Sequence, residues 1–99
     1  MASVYLTEHY APKFVGGNLL PAVSMPPIAE QKITIGGASV ASSAFNALTQ
    51  VLGVHAEAVC SVAFGAAPTA TSANRRLAAH STEYFEVTPG QKVAIITNS

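Results

Sequence analysis

The chain has 99 residues and a mass of 10.1 kDa, which allows one small domain and excludes a second core. Five basic and five acidic residues cancel to a net charge of zero, so the basic surplus required by a nucleic-acid binder or a polybasic membrane patch is absent. Only 10% of the residues are charged and 49% are hydrophobic, eighteen of these being alanine; a surface so poor in charge favours association with neighbours.

In chain order, residues 1–29 stand apart. Four of the six prolines fall here, at Pro12, Pro21, Pro26 and Pro27, and leave no room for a three-turn helix after Pro12. The segment is nevertheless apolar, carrying Tyr5, Leu6, Tyr10, Phe14, Leu19 and Leu20, unlike a disordered tail. An extended apolar segment must lie against something. Twenty-eight extended residues would span roughly 90 Å, against about 30 Å for the remaining globule. The segment either folds back on its own domain or lies on a partner; its reach favours the partner, and the expectation is an N-terminal arm over 1–29 with a β domain over 30–99.

Gln31-Lys32-Ile33-Thr34-Ile35 alternates and predicts a strand with Ile33 and Ile35 on one face. Ala38 to Leu48 reads either as a helical turn or as a loop carrying Phe45 inward. Thr49–Ala56 predicts a second strand, and Ala58–Phe64 a third with Cys60 as a small core residue. Gly65–Asn74 is a Gly, Ala, Pro, Thr and Ser loop, expected at the surface. Arg75–Ala79 is a short strand around Leu77. Glu83–Val87 is a clearer one, with Tyr84 and Phe85 on opposite faces: either one points to the core and the other is exposed or covered by a partner, or both are buried by the long loop and the arm. Thr88-Pro89-Gly90-Gln91 is a turn, because proline pre-sets its second position and glycine supplies positive φ at its third. Lys92–Thr97 returns as the last strand. Five or six short strands punctuated by turns predict an all-β fold: a small antiparallel β-sandwich or partly closed barrel with an extended N-terminal arm.

Readings for chemistry find little. No Gly-x-Ser-x-Gly elbow exists, and with no aspartate a catalytic triad would need one of the scattered glutamates. His80 and Ser81 are adjacent, and neighbours on a strand point to opposite faces. His9, His55 and His80 lie far apart with no metal-ligand spacing, so they read as surface or interface residues, His55 partly buried. Gly16–Gly17 and Gly36–Gly37 lack the pattern of a phosphate loop. The expectation is a non-enzyme with no cofactor and no metal. Arg75–Arg76 is the one concentrated charge, suited to carboxylates on a neighbouring subunit or simply solvated. A lone cysteine cannot form an internal disulfide. The N-terminus lacks the apolar run of a signal peptide, and no run is long enough to span a membrane. Synthesis in a reducing cytoplasm is expected.

The run Cys60-Ser61-Val62-Ala63-Phe64-Gly65-Ala66-Ala67-Pro68-Thr69-Ala70-Thr71, then Glu83-Tyr84-Phe85, then Val87-Thr88-Pro89-Gly90-Gln91-Lys92-Val93-Ala94-Ile95-Ile96, resembles a class of small tailed-bacteriophage virion proteins. Their C-terminal region runs as a CSIAFG-x-x-PTAT strand and loop, an EYF strand and a V-x-PG-x-KVAVI strand. The likeness covers about residues 48–97, without the N-terminal segment. It implies a virion component with a β-rich fold. With the low charge and the arm, the expectation is a cement or decoration protein on the capsid exterior, made in the host bacterial cytoplasm. It would bind the major capsid protein and itself, as a homotrimer. Its partner interface is expected at Tyr5, Leu6, Tyr10, Phe14, Leu19, Leu20, Arg75 and Arg76. A head–tail connector or tail protein is the alternative. A module binding host-surface glycan through the 65–74 loop is the alternative of another class, and that loop holds no aromatic residue.

Overall fold

A computed structural model of the chain describes residues 2–10, 14–15, 18–19 and 26–98. In sequence order the strands are β1 (Ser3–His9), β2 (Phe14–Val15), β3 (Asn18–Leu19), β4 (Ala29–Thr34), β5 (Val40–Ala41), β6 (Val51–Ala56), β7 (Cys60–Gly65), β8 (Arg75–Leu77), β9 (Ser81–Glu86) and β10 (Lys92–Thr97). Two four-stranded antiparallel sheets form, in the orders β4-β1-β6-β9 and β5-β10-β7-β8. The chain is an all-β protein of β-sandwich type. Strands β2 and β3 pair separately, Phe14 opposite Leu19 and Val15 opposite Asn18. Among the described residues no helix is long and apolar enough to cross a membrane.

Period-two alternation builds the core. Val4 and Leu6 of β1, Ile33 of β4, Leu52, Val54 and Ala56 of β6, Cys60 and Val62 of β7, Leu77 of β8, and Val93 and Ile95 of β10 are all buried in one cluster. Burial raises the pKa of the Cys60 thiol by desolvation, as suits a packing residue. From β4 onward each connection except β7 to β8 passes from one sheet to the other. The 42–50 crossing carries Phe45 inward and buries it; Ala38–Leu48 forms no helical turn but an unexpected short strand, β5, followed by this loop. Its backbone is clamped: Phe45 N–H donates to Gln91 O at 2.8 Å, and Gly90 N–H donates to Phe45 O at 3.2 Å. The expected turn is present, with Gln91 N–H donating to Thr88 O at 3.2 Å and Gly90 at φ +82°, the left-handed region a type II turn requires there.

The arm expected over residues 1–29 is corrected at its start. Strand β1 lies inside the first sheet, paired with β4 on one side and β6 on the other. The proline argument begins only at Pro12. Before it, Val4, Leu6 and Glu8 alternate with Tyr5, Thr7 and His9, which is the pattern of a strand with one face buried. Residues 3–9 therefore belong with the β domain expected over 30–99. The rest of the arm lies outside the described residues, apart from β2 and β3.

Glu8 continues the inward face of β1 and is buried. It accepts from Asn46 N–H at 2.8 Å, Thr49 Oγ1 at 2.8 Å and Gln31 Nε2 at 3.2 Å. One carboxylate therefore ties β1, β4 and the 42–50 crossing together, with charge-assisted bonds offsetting its desolvation. The 66–74 loop is mostly exposed but is not loose. Ala70 is buried and donates its N–H to Ser39 Oγ at 2.8 Å, while Asn98 Nδ2 donates to Ser61 Oγ at 2.7 Å and to Ser72 O at 3.2 Å.

Candidate interaction surface

Strand register places the outward side chains of the first sheet in rows. Lys32, Tyr5, His55 and Thr82 form one row across β4, β1, β6 and β9; Glu30, Thr7, Gly53 and Tyr84 form the next. Tyr5 is 40% exposed and Tyr84 59%. Lys32 Nζ lies 5.5 Å from the Tyr5 ring centroid, and the His55 ring lies 6.4 Å from it on the other side. His55 Nδ1 is 2.8 Å from Thr82 Oγ1, which fixes the imidazole in the row.

The second row depends on its glycine. A Cβ on Gly53 would stand 2.5 Å from Thr7 Oγ1 and 2.9 Å from Tyr84 Cε1. The Tyr84 ring therefore lies over the glycine backbone, a cross-strand packing that compensates for the missing side chain. Thr7 Oγ1 is 3.0 Å from His9 Nε2, and the His9 ring is 6.3 Å from that of Tyr84. His9 itself is buried, so the open part of the face centres on Tyr5 and Tyr84. A shallow depression of about 210 Å³ runs beside it between β1 and β4, lined by Tyr5, Leu6, Thr7, Glu30, Gln31 and Lys32.

The residues expected to form one interface are dispersed. Tyr5 is on this face, and Tyr10 is exposed just past the end of β1. Leu6 is corrected: it is 1% exposed and belongs to the core, because its neighbour Tyr5 takes the outward side of the strand. Phe14 and Leu19 are cross-strand partners in the β2–β3 ladder, and Leu20 lies outside the described residues. Arg75 and Arg76 sit on β8, the edge of the other sheet. Arg75 is used within the chain. Its Nη2 donates to Glu83 Oε1, and its guanidinium stands 5.2 Å from the Phe85 ring, which lies 5.2 Å from that of Phe64. This cluster closes the gap between the edge strands β8 and β9. Arg76 is exposed.

Of Tyr84 and Phe85, Phe85 packs against the core and Tyr84 faces out, as alternation requires. Lys32, His55 and Thr82 were not legible as site residues. Each becomes one only through register between strands distant in sequence. Among the described residues no three His, Cys, Asp or Glu side chains gather in a way that could hold a metal ion. What this face offers is exposed aromatic surface flanked by hydroxyl, imidazole and ammonium groups on a sheet paired through four strands. No family model, curated protein or solved structure matches the chain.

Proposed function

We propose that the chain is a structural protein of a tailed-phage particle, a cement or decoration subunit that seats the outer face of its first sheet on the major capsid protein. The observation that carries this reading is that exposed Tyr5 and Tyr84 share one face of a molecule with no net charge. Tyrosine supplies large contact area at low entropic cost and is enriched at interface centres. A net charge of zero suits a protein surface better than a polyanion. The likeness of residues 48–97 to phage virion proteins supports the particle. Strand β1 contributes to this face as part of the sheet and not as an arm. Weak single contacts add up through the many copies of a shell.

Copy number per purified virion, by quantitative mass spectrometry against the major capsid protein, tests the proposal. Hundreds of copies are expected. A ring of six to twelve would move the protein to the neck or tail, and none would remove it from the particle.

One feature favours a second reading. The Tyr84 ring, backed by Gly53 and flanked by hydroxyl groups, is the kind of platform on which a neutral sugar ring stacks. That reading places glycan on the sheet face and not on the 65–74 loop. It predicts Tyr84-dependent binding to a neutral glycan array, and an array with no signal removes it.

A further inference from the structure

We propose that β4 pairs with β4 of a second copy of this chain, two-fold about Gln31, joining the two first sheets into one of eight strands. β4 is an edge strand, and no other described strand pairs with its open side. The direction of its backbone groups follows from its neighbours. Glu57 N–H donates to Ser3 O at 3.1 Å, so the odd residues of β1 bond to β6 and the even ones to β4. Ile35 N–H donating to Ala2 O at 2.9 Å agrees with this. Ala29, Gln31 and Ile33 therefore bond to β1, and Glu30, Lys32 and Thr34 turn their N–H and C=O groups to the open edge.

A two-fold axis at Gln31 sets Glu30 of one copy opposite Lys32 of the other, and Lys32 opposite Glu30. Both residues direct backbone groups outward, so the pairing falls on hydrogen-bonded positions of an antiparallel ladder. The side chains of Glu30 and Lys32 are exposed and project from the same outer face, as their register with Thr7 and Tyr5 shows. Opposite charges directly across strands are favourable.

A lone lysine guards an edge because its copy meets an uncompensated charge. Here the residue that meets Lys32 is a glutamate, and the edge is complementary to itself. No other edge among the described strands of the sandwich has this property. The outward residues of β9 are Thr82, Tyr84 and Glu86, which form no opposite-charge pair about any two-fold, and β5 and β8 have only two and three residues. An isologous edge closes at two chains, so the species is a dimer and not the homotrimer expected of a cement protein. The inference is independent of the virion reading, because the chain alone in solution tests it.

Sedimentation of the full chain from about 10 μM to about 1 mM should show a reversible species of twice the 10.1 kDa chain mass. Lys32→Glu turns two attractive pairs into two repulsive ones and should weaken the dimer about tenfold or more. Glu30→Lys should do the same, and the double reversal should restore it. Backbone amide exchange reports the surface directly: Glu30 and Lys32 should gain protection as concentration rises. A monomer throughout, a trimer, or a dimer unmoved by Lys32→Glu and unprotected at these amides overturns the proposal.

Discussion

At the scale of single residues, Gly53 decides the shape of the outer face. It is the position at which Thr7 and Tyr84 approach too closely for any side chain between them. Gly53→Ala should destabilise the protein by about 1–2 kcal/mol and push Tyr84 off the sheet, even though alanine is otherwise the better strand residue. Thermal unfolding checks the first and the Tyr84 ring shifts in NMR the second. Adding Thr7→Ala should return part of the loss, and strict additivity of the two changes would refute the clash. Glu8 is the other residue whose role exceeds its appearance. In sequence it is one of five scattered glutamates, but as a buried acceptor of three hydrogen bonds it anchors the crossing that delivers Phe45 to the core.

At the scale of elements, what could be read in advance was what is local. The alternation in Gln31–Ile35, the Thr88–Gln91 turn and the strand after it depend on neighbours in sequence, and all three form where expected. Strand β1 is equally local, but its alternation lies in front of a proline-rich stretch whose character was extended over it. An arm over residues 1–29 would be dispensable to the fold. Removing residues 1–9 does not trim an arm. It takes out the strand between β4 and β6 together with Val4, Leu6 and Glu8. The truncated chain should show no cooperative unfolding and collapsed amide dispersion in NMR; a well-folded product would contradict the position of β1. A milder probe is Leu6→Ala, expected to cost about 2–5 kcal/mol as a fully buried leucine. The face itself was not legible, because Tyr5 meets His55 and Gly53 meets Tyr84 only once four strands have chosen their register.

At the scale of the whole molecule, the two sides of the sandwich differ in use. The outer face of the second sheet has its loop pinned at Ser39 and Asn98, whereas the first presents Tyr5 and Tyr84. If the first face seats on capsid, Tyr5→Ala and Tyr84→Ala should each weaken particle binding by about 1–2 kcal/mol, about five- to thirtyfold. Arg76→Ala, on the other sheet, should leave it unchanged. Co-sedimentation with stripped particles distinguishes these outcomes, and equal loss from all three variants would mean that the face has been assigned wrongly. The route of the chain has a kinetic consequence as well. Because nearly every connection from β4 onward changes sheet, the only sequential hairpin within either four-stranded sheet is β7–β8. Neither layer is able to form ahead of the other, so folding must wait on distant segments meeting and is slow for so short a chain. Newly made chains therefore spend time with unpaired strand edges, at a stage when premature self-pairing competes with completion of the sandwich.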